Sequence, residues 1–135
     1  MPDLRSLMSS PALTAQPDAA LSAVAKEMSA VRAGSVVVVN SDNVPVGILT
    51  ERDFLRAAGD GSDPTASLVM DWMSPDPVCA APDRDADDTL HELLERGFRH
   101  LPIVEDRRLV GIVSMRDLIA AVAFGRIEHS PNDDA

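Results

Sequence analysis

A hydroxyl residue followed three positions later by an aspartate occurs twice in this chain, each time after a short apolar run. The first copy is Thr50 with Asp53, and the second is Ser114 with Asp117. At the start of a helix, unpaired backbone N–H groups and the helix dipole attract anions. A hydroxyl there can donate to a phosphate, and a carboxylate one turn later can accept two hydrogen bonds from a ribose diol. The pattern therefore suits a nucleoside phosphate.

The same spacing also matches a capping box, in which the two side chains accept hydrogen bonds from backbone N–H groups at a helix start. A capping role explains the presence of the hydroxyl residue and is compatible with the aspartate. It does not require Gly47 and Gly111, each of which stands three positions before a hydroxyl residue. Because glycine has no side chain, we expect a ligand to approach the backbone at these two positions. The capping and ligand-binding roles can coexist.

Both copies belong to an internal repeat. Residues 46–53 return as residues 110–117, with Gly-Ile, a hydroxyl residue and Arg-Asp at the same places. Such a recurrence indicates two copies of one structural unit, and therefore two copies of any site that the unit builds. We place the copies at residues 8–64 and 73–125.

The elements that must position these residues follow one order in both copies: strand, helix, strand, strand, helix. Asp18 is a predicted N-cap for the first helix, and Asp83 precedes its counterpart. Gly97 is predicted to end the latter helix, and Thr50 and Ser114 to begin the second helix of each copy. The predicted strands are 36–39 (buried on both faces), 45–49, 101–104 and 109–113, with short extended pieces at 12–14 and 78–80. The predicted apolar helix positions are Leu21, Val24, Ala25, Met28, Phe54, Leu55, Ala58, Leu90, Leu93 and Leu94.

Composition restricts the class of protein. The chain has 135 residues, 45% of them hydrophobic, and is predicted to form one module (1–135) that ends in a polar tail at 126–135. A net charge of −10 argues against nucleic acid or an anionic membrane as a partner. No apolar run approaches the roughly 20 residues of a membrane helix, and no signal peptide is recognisable. We therefore expect a cytoplasmic protein.

In these doubled motifs, and in the segments 8–11, 73–77 and 99–104, the chain resembles a tandem pair of CBS (cystathionine-β-synthase) domains, or Bateman module. The resemblance implies an α/β (α+β) fold of two pseudo-symmetric β-α-β-β-α repeats, packed through their sheets with two clefts between them. It further implies AMP, ADP, ATP or S-adenosylmethionine as the ligand, no required cofactor, and dimerisation into a flat disc.

The resemblance also assigns roles to residues. Asp53 and Asp117 match the family's ribose-binding acids, and their hydroxyl partners match groups that contact phosphate or ribose. Adenine is expected near the opening segment of the other repeat. Arg99 and His100 match frequent phosphate contacts, although His100 could instead bond only a backbone carbonyl. The candidate ligand-binding residues are Ser10, Ala12, Thr50, Arg52, Asp53, Pro75, Pro77, Arg99, His100, Ser114, Arg116 and Asp117.

Two further details bear on this site. The residues that correspond to Arg99 and His100 in the first repeat are Gly34 and Ser35, which carry no charge. The two clefts are therefore predicted to be unequal. Arg52 and Arg116 lie near helix starts, where the dipole disfavours cations. This placement favours a nearby anion or carboxylate partner over the alternative that both are only solvated cations.

The sequence thus predicts a regulatory module that senses an adenosine-containing ligand and passes a conformational change to a separate effector protein. The alternative is a ligand-independent dimerisation or interaction module. An enzyme is not expected, because His91, on a predicted helix, and His129, in the tail, form no recognisable catalytic constellation with a serine or with the only cysteine, Cys79. Nor does the acidic segment 83–88 have the spacing of a calcium loop. Trp72 is predicted to be a packing anchor between repeats or subunits rather than a surface on which a base stacks.

Overall fold

The computed structural model describes residues 2–128. Its elements in chain order are α1 (Leu4–Leu7), β1 (Thr14–Ala15), α2 (Leu21–Val31), β2 (Ser35–Val39), β3 (Pro45–Thr50), α3 (Glu51–Gly59), α4 (Val69–Trp72), β4 (Ser74–Pro75), α5 (Ala86–Arg96), β5 (His100–Glu105), β6 (Arg108–Ser114) and α6 (Met115–Glu128). The predicted α+β fold of two similar repeats is confirmed. Helix α6 runs into the predicted polar tail, of which residues 129–135, including His129, lie outside the described part.

Each repeat is built on an antiparallel strand pair, β2–β3 in the first repeat and β5–β6 in the second. Both pairs have a register shift near the end of the first strand, after Val38 and after Ile103. All five residues of β2 are buried, as its β-branched composition predicted for a strand covered on both faces. The first sheet has the order β1-β2-β3-β4. Bridges from Ala80 and Ser9 occupy the corresponding positions beside β5 and β6.

The two repeats exchange their opening segments. Strand β4, from the start of the second repeat, pairs with β3 of the first repeat. Ser9, from the start of the first repeat, exchanges two backbone hydrogen bonds with Ile112 of β6, at 2.9 and 3.1 Å. The short helices follow the same rule: Leu4 of α1 is buried in the core of the second repeat, and Val69 of α4 in that of the first. Each core is therefore completed by residues from the other repeat.

A small apolar cluster joins the two sheets. Val37 and Val39 of β2 pack with Leu109 of β6, and Ala12 and Ile112 lie against them. The Asn43 side chain also donates to the Leu109 carbonyl at 3.1 Å. The repeats are thus held together through their strands, as the resemblance implied.

The N-cap predicted for the first helix of the first repeat is wrong. Helix α2 begins at Leu21, and Ala20 rather than Asp18 is its N-cap. No side chain is needed there, because the carbonyl groups of Ser67 and Pro64 accept from the first N–H groups of the helix at 3.0 and 2.9 Å. Helix α5 begins after Asp83, as predicted, and its N-cap is Asp85, which accepts a hydrogen bond from the Asp88 N–H.

The apolar positions predicted for α3 are only partly correct: Phe54 packs against the core of the first repeat, whereas Leu55 and Ala58 are exposed. Leu55 is 74% exposed, and the residues that α3 buries are Asp53 and Ala57. The capping box at the start of α3 turns Asp53 inward, and Ala57 lies one turn further along the same face. Elsewhere the periodicity was more reliable. Leu21, Val24 and Met28 are buried on α2, and Leu90 and Leu93 on α5, where only the predicted burial of Leu94 fails at 57% exposure.

Candidate functional site

Two clefts lie between the repeats. Cleft 1 has a volume of about 520 Å³ and joins the start of α3 to the opening segment of the second repeat and the residues before β5. Its lining comprises Gly34, Ile48, residues 50–53, Arg56, residues 74–78 and residues 97–100. Cleft 2 has a volume of about 620 Å³ and joins the start of α6 to the opening segment of the first repeat. Its lining comprises Ser9, residues 11–13, residues 31–35, His100, Ile112, Ser114 and Asp117.

The clefts bring most of the predicted site residues together. Thr50, Arg52, Asp53, Pro75, Pro77, Arg99 and His100 line cleft 1. Ala12, Ser114, Asp117 and again His100 line cleft 2. Each cleft thus combines the acidic motif of one repeat with the opening segment of the other. Ser10 and Arg116 are in neither lining: the Ser10 hydroxyl donates to the Val110 carbonyl at 2.9 Å, and Arg116 is exposed on α6.

In cleft 1 the hydroxyl–acid pair forms a complete capping box. The Thr50 N–H donates to Asp53 Oδ2 at 2.8 Å, and the Thr50 hydroxyl donates to the same oxygen at 3.3 Å. Asp53 Oδ1 accepts from Arg56 Nη1 at 2.9 Å. Asp53 is only 5% exposed, and both oxygens of its carboxylate accept hydrogen bonds from groups of the chain itself.

In cleft 2 the corresponding pair is arranged differently. The Asp117 N–H donates to the Ser114 hydroxyl oxygen at 3.1 Å, which is an ordinary N-cap. The Asp117 carboxylate is exposed and makes no hydrogen bond or ion pair within residues 2–128. Its oxygens can therefore accept from a ligand without breaking a bond inside the protein.

The two glycines of the repeated motif have a different role from the one predicted. A Cβ at Gly111 would lie 2.7 Å from the Met8 sulfur and 2.9 Å from the Ser9 carbonyl oxygen. A Cβ at Gly47 would overlap the Met73 side chain and lie 3.1 Å from the Ser74 carbonyl oxygen. The expectation that these glycines admit a ligand is wrong, because the opening segment of the other repeat fills the space instead.

His100 lies at the start of β5 and lines both clefts. Burial lowers the pKa of its imidazole, and the nearby Arg99 guanidinium lowers it further, while Glu51 and Asp117 act in the opposite direction. His100 is consequently neutral near pH 7. Anionic groups placed against it would favour the imidazolium form.

We expect this lowered pKa to produce a pH dependence of stability. As the pH falls below about 6.5, the unfolded chain binds a proton at His100 before the folded chain does, so the free energy of unfolding decreases. His100→Gln should remove that part of the slope between pH 7 and pH 5.5. Urea denaturation at several pH values measures it. The control His91→Gln alters an exposed residue on α5 and should keep the slope. An unchanged slope in His100→Gln would show that other groups cause it.

Sequence reasoning missed two arginines of the clefts. Arg56 lines cleft 1, bonds Asp53, and has its guanidinium carbon 5.5 Å from the centre of the Trp72 ring. Arg32 lines cleft 2 at the left-handed C-cap of α2. For Arg56, the one signal in the sequence is its position three residues after Asp53, a spacing at which two helix side chains can form an ion pair. Trp72 packs against the core of the first repeat.

Two repeats that exchange their opening segments and enclose two clefts define a tandem-repeat module. The family model for the CBS domain matches residues 4–60 and again residues 69–124. The chain belongs to the CBS-domain family and is a tandem pair. No helix within residues 2–128 is long and apolar enough to cross a membrane.

Relatives are similar along most of the chain. An uncharacterised 17.7 kDa protein from Acidianus ambivalens is 41% identical over 108 residues, which are 79% of this chain and 65% of that protein. The chain thus spans slightly less than two thirds of that relative's length. The crystal structure of the CBS-domain containing protein ATU1752 from Agrobacterium tumefaciens superposes with a TM-score of 0.79 at 30% identity, covering 89% of this chain and 98% of that one.

Two ligand complexes share the fold at lower identity. The CBS domain pair of protein MJ0100, in complex with 5-methylthioadenosine and S-adenosyl-L-methionine, has a TM-score of 0.82 at 23% identity, covering 92% of this chain and 97% of that one. CBSX2 in complex with AMP has a TM-score of 0.80 at 19% identity, covering 93% and 99%.

Proposed function

We propose that this CBS pair is a regulatory module that binds an adenosine-containing nucleotide of the AMP, ADP or ATP class between its repeats. The observation that carries the proposal is the exposed Asp117 carboxylate beside the Ser114 hydroxyl at the start of α6. A carboxylate can accept both hydrogens of a ribose diol, and a helix start attracts the phosphate. Adenosine ligands in two proteins of the same fold support this choice.

The dimensions and charges of the clefts suit such a ligand. Volumes of about 520 and 620 Å³ lie within the range of about 300–1,000 Å³ that small-molecule sites occupy. Arg52 and Arg99 are exposed on the wall of cleft 1, where they can pair with phosphate oxygens. Proline and aliphatic residues of the opening segments supply apolar surface for the base. The proposal concerns binding rather than catalysis, because His100 makes no hydrogen bond to a hydroxyl or thiol in the described chain.

The proposed output is a change in repeat packing. A ligand that contacts both repeats can shift their relative arrangement only through different affinities for two states. We propose that a homodimer carries this change to an effector protein. A ligand-independent interaction module is the second candidate, and the observation that favours it is the internally bonded Asp53 of cleft 1. S-adenosylmethionine is an alternative ligand of the same site, since it offers the same ribose diol.

Thermal shift and calorimetric titration with AMP, ADP, ATP and S-adenosylmethionine test the proposal. A ligand at a hundredfold excess over its Kd should stabilise the folded chain by about 2.7 kcal/mol. Asp117→Asn should weaken binding in cleft 2 by about tenfold or more, because it removes the charged acceptor for the diol there. Asp42→Asn, on an exposed turn outside both clefts, is the control. No shift with any of the four compounds would instead favour the interaction module.

A further inference from the structure

The carboxylate of Asp53 is occupied by the chain itself on both sides. Oδ2 accepts from the Thr50 N–H and hydroxyl, and Oδ1 accepts from Arg56 Nη1 at 2.9 Å. Its side chain is 7% exposed, whereas that of Arg56 is 57% exposed. A ribose diol can therefore reach Oδ1 only if the Arg56 guanidinium moves away.

The Arg56 side chain is placed to make that movement. It is the exposed partner of the ion pair, and its guanidinium lies over the Trp72 ring at the wall of cleft 1. The Arg56 side chain is 57% exposed, so its guanidinium can be solvated when it leaves Asp53, and exposed cation–π contacts are weak. A phosphate in the cleft would offer Arg56 a stronger, bidentate partner than the one it leaves.

The second repeat has no arginine at the position that corresponds to Arg56. The position that corresponds to Arg56, three residues after the acid, is Ala120, and alanine cannot pair with Asp117. The Asp117 carboxylate is accordingly exposed and unbonded among the described residues. The two clefts thus differ in whether a cation of the protein already covers the acid.

We propose that Arg56 determines the ligand specificity of cleft 1, which admits a nucleoside bearing a phosphate and discriminates against the uncharged nucleoside. This role of Arg56 rests on the nucleotide-binding function proposed above, and it gives the two clefts different ligand classes. A nucleoside in cleft 1 would break the Arg56–Asp53 bond without replacing it. A nucleotide replaces it, since the diol takes Asp53 while the phosphate takes Arg56. Cleft 2, with Ala120, accepts both.

Titrations with adenosine and with AMP test this proposal. They use the Asp117→Asn protein, in which binding in cleft 2 is suppressed, so that cleft 1 is measured. In that background AMP should bind more tightly than adenosine by about tenfold to a hundredfold, the value of a hydrogen-bonded charge. Adding Arg56→Ala should reduce that preference by about tenfold, by weakening AMP and strengthening adenosine, while Arg52 and Arg99 account for the preference that remains. Arg56→Lys, which keeps the charge, should retain most of the preference. A preference unchanged by Arg56→Ala would overturn the role of Arg56.

Tryptophan fluorescence supplies an independent measurement, because Trp72 is the only tryptophan of the chain. AMP binding in cleft 1 should shift its emission as the guanidinium leaves the ring, and Arg56→Ala should abolish that shift. The converse variant, Ala120→Arg with Asp53→Asn, should confer a preference for AMP on cleft 2. Binding without any emission change in the Asp117→Asn protein would contradict the movement of Arg56. No binding of either compound to any of these proteins would instead overturn the proposed function itself.

Discussion

Replacement of Leu4 by alanine is expected to lower the free energy of unfolding by about 2–5 kcal/mol, the usual cost of truncating a fully buried leucine. Leu4 is 0% exposed and lies in the core of the second repeat, although it precedes the first. A four-residue helix has no stability of its own, so α1 forms only where it docks. Its backbone is fixed there by bonds from Leu4 to Arg84 at 3.0 Å and from Arg5 to Pro82 at 2.8 Å.

Urea denaturation of Leu4→Ala against the unaltered chain measures this effect. Leu55→Ala is a matched control on α3, since that leucine is 74% exposed and its truncation should change stability by less than about 0.5 kcal/mol. Because α1 leads directly into the opening segment that lines cleft 2, Leu4→Ala should also weaken ligand binding there. A loss below about 1 kcal/mol would mean that α1 is not docked in solution.

The second large effect is expected at Gly111, where alanine should destabilise the fold by about 1–3 kcal/mol, as overpacking of a close contact does. The added Cβ would lie 2.9 Å from the Ser9 carbonyl oxygen, and that carbonyl is held by the Ile112 N–H at 3.1 Å. Backbone that is part of a strand pairing cannot move aside as a flexible side chain can. The opening segment should therefore be displaced, and cleft 2 with it.

Three comparisons make this prediction specific. Gly59→Ala, with nothing within 4 Å of its Cβ, should be neutral or slightly stabilising because alanine favours the helix. Gly47→Ala meets chiefly the flexible Met73 side chain, so Met73→Ala should restore part of its stability. Adding Met8→Ala to Gly111→Ala should restore less stability than Met73→Ala restores to Gly47→Ala, because the Ser9 carbonyl remains in the way. If Gly111→Ala were as stable as the unaltered chain, the close packing of the opening segment would be refuted.

Local signals in the sequence predicted the elements well. Thr50 caps α3, Gly97 ends α5 in the left-handed conformation with φ of 77°, and the β-branched run gives the buried strand β2. Each of these depends on residues that are neighbours along the chain. Prediction failed at Asp18, because backbone carbonyls from the loop at 64–67 satisfy the first N–H groups of α2. No local signal could reveal that contact.

The sequence by itself determined the two repeats, their element order and the paired hydroxyl and acidic residues at two helix starts. Those features follow from spacing, and spacing is a property of the chain. Only the tertiary structure decided that the opening segments are exchanged and that Asp53 is bonded internally while Asp117 is open. The first outcome depends on how Met8 and Met73 fit against glycines of the other repeat. The second depends on one arginine that reaches back to Asp53 and over Trp72, where its counterpart is an alanine. The exchange of opening segments thus depends on packing between distant residues, whereas the difference between the two acids depends on a single side chain outside the repeated motif, Arg56 against Ala120.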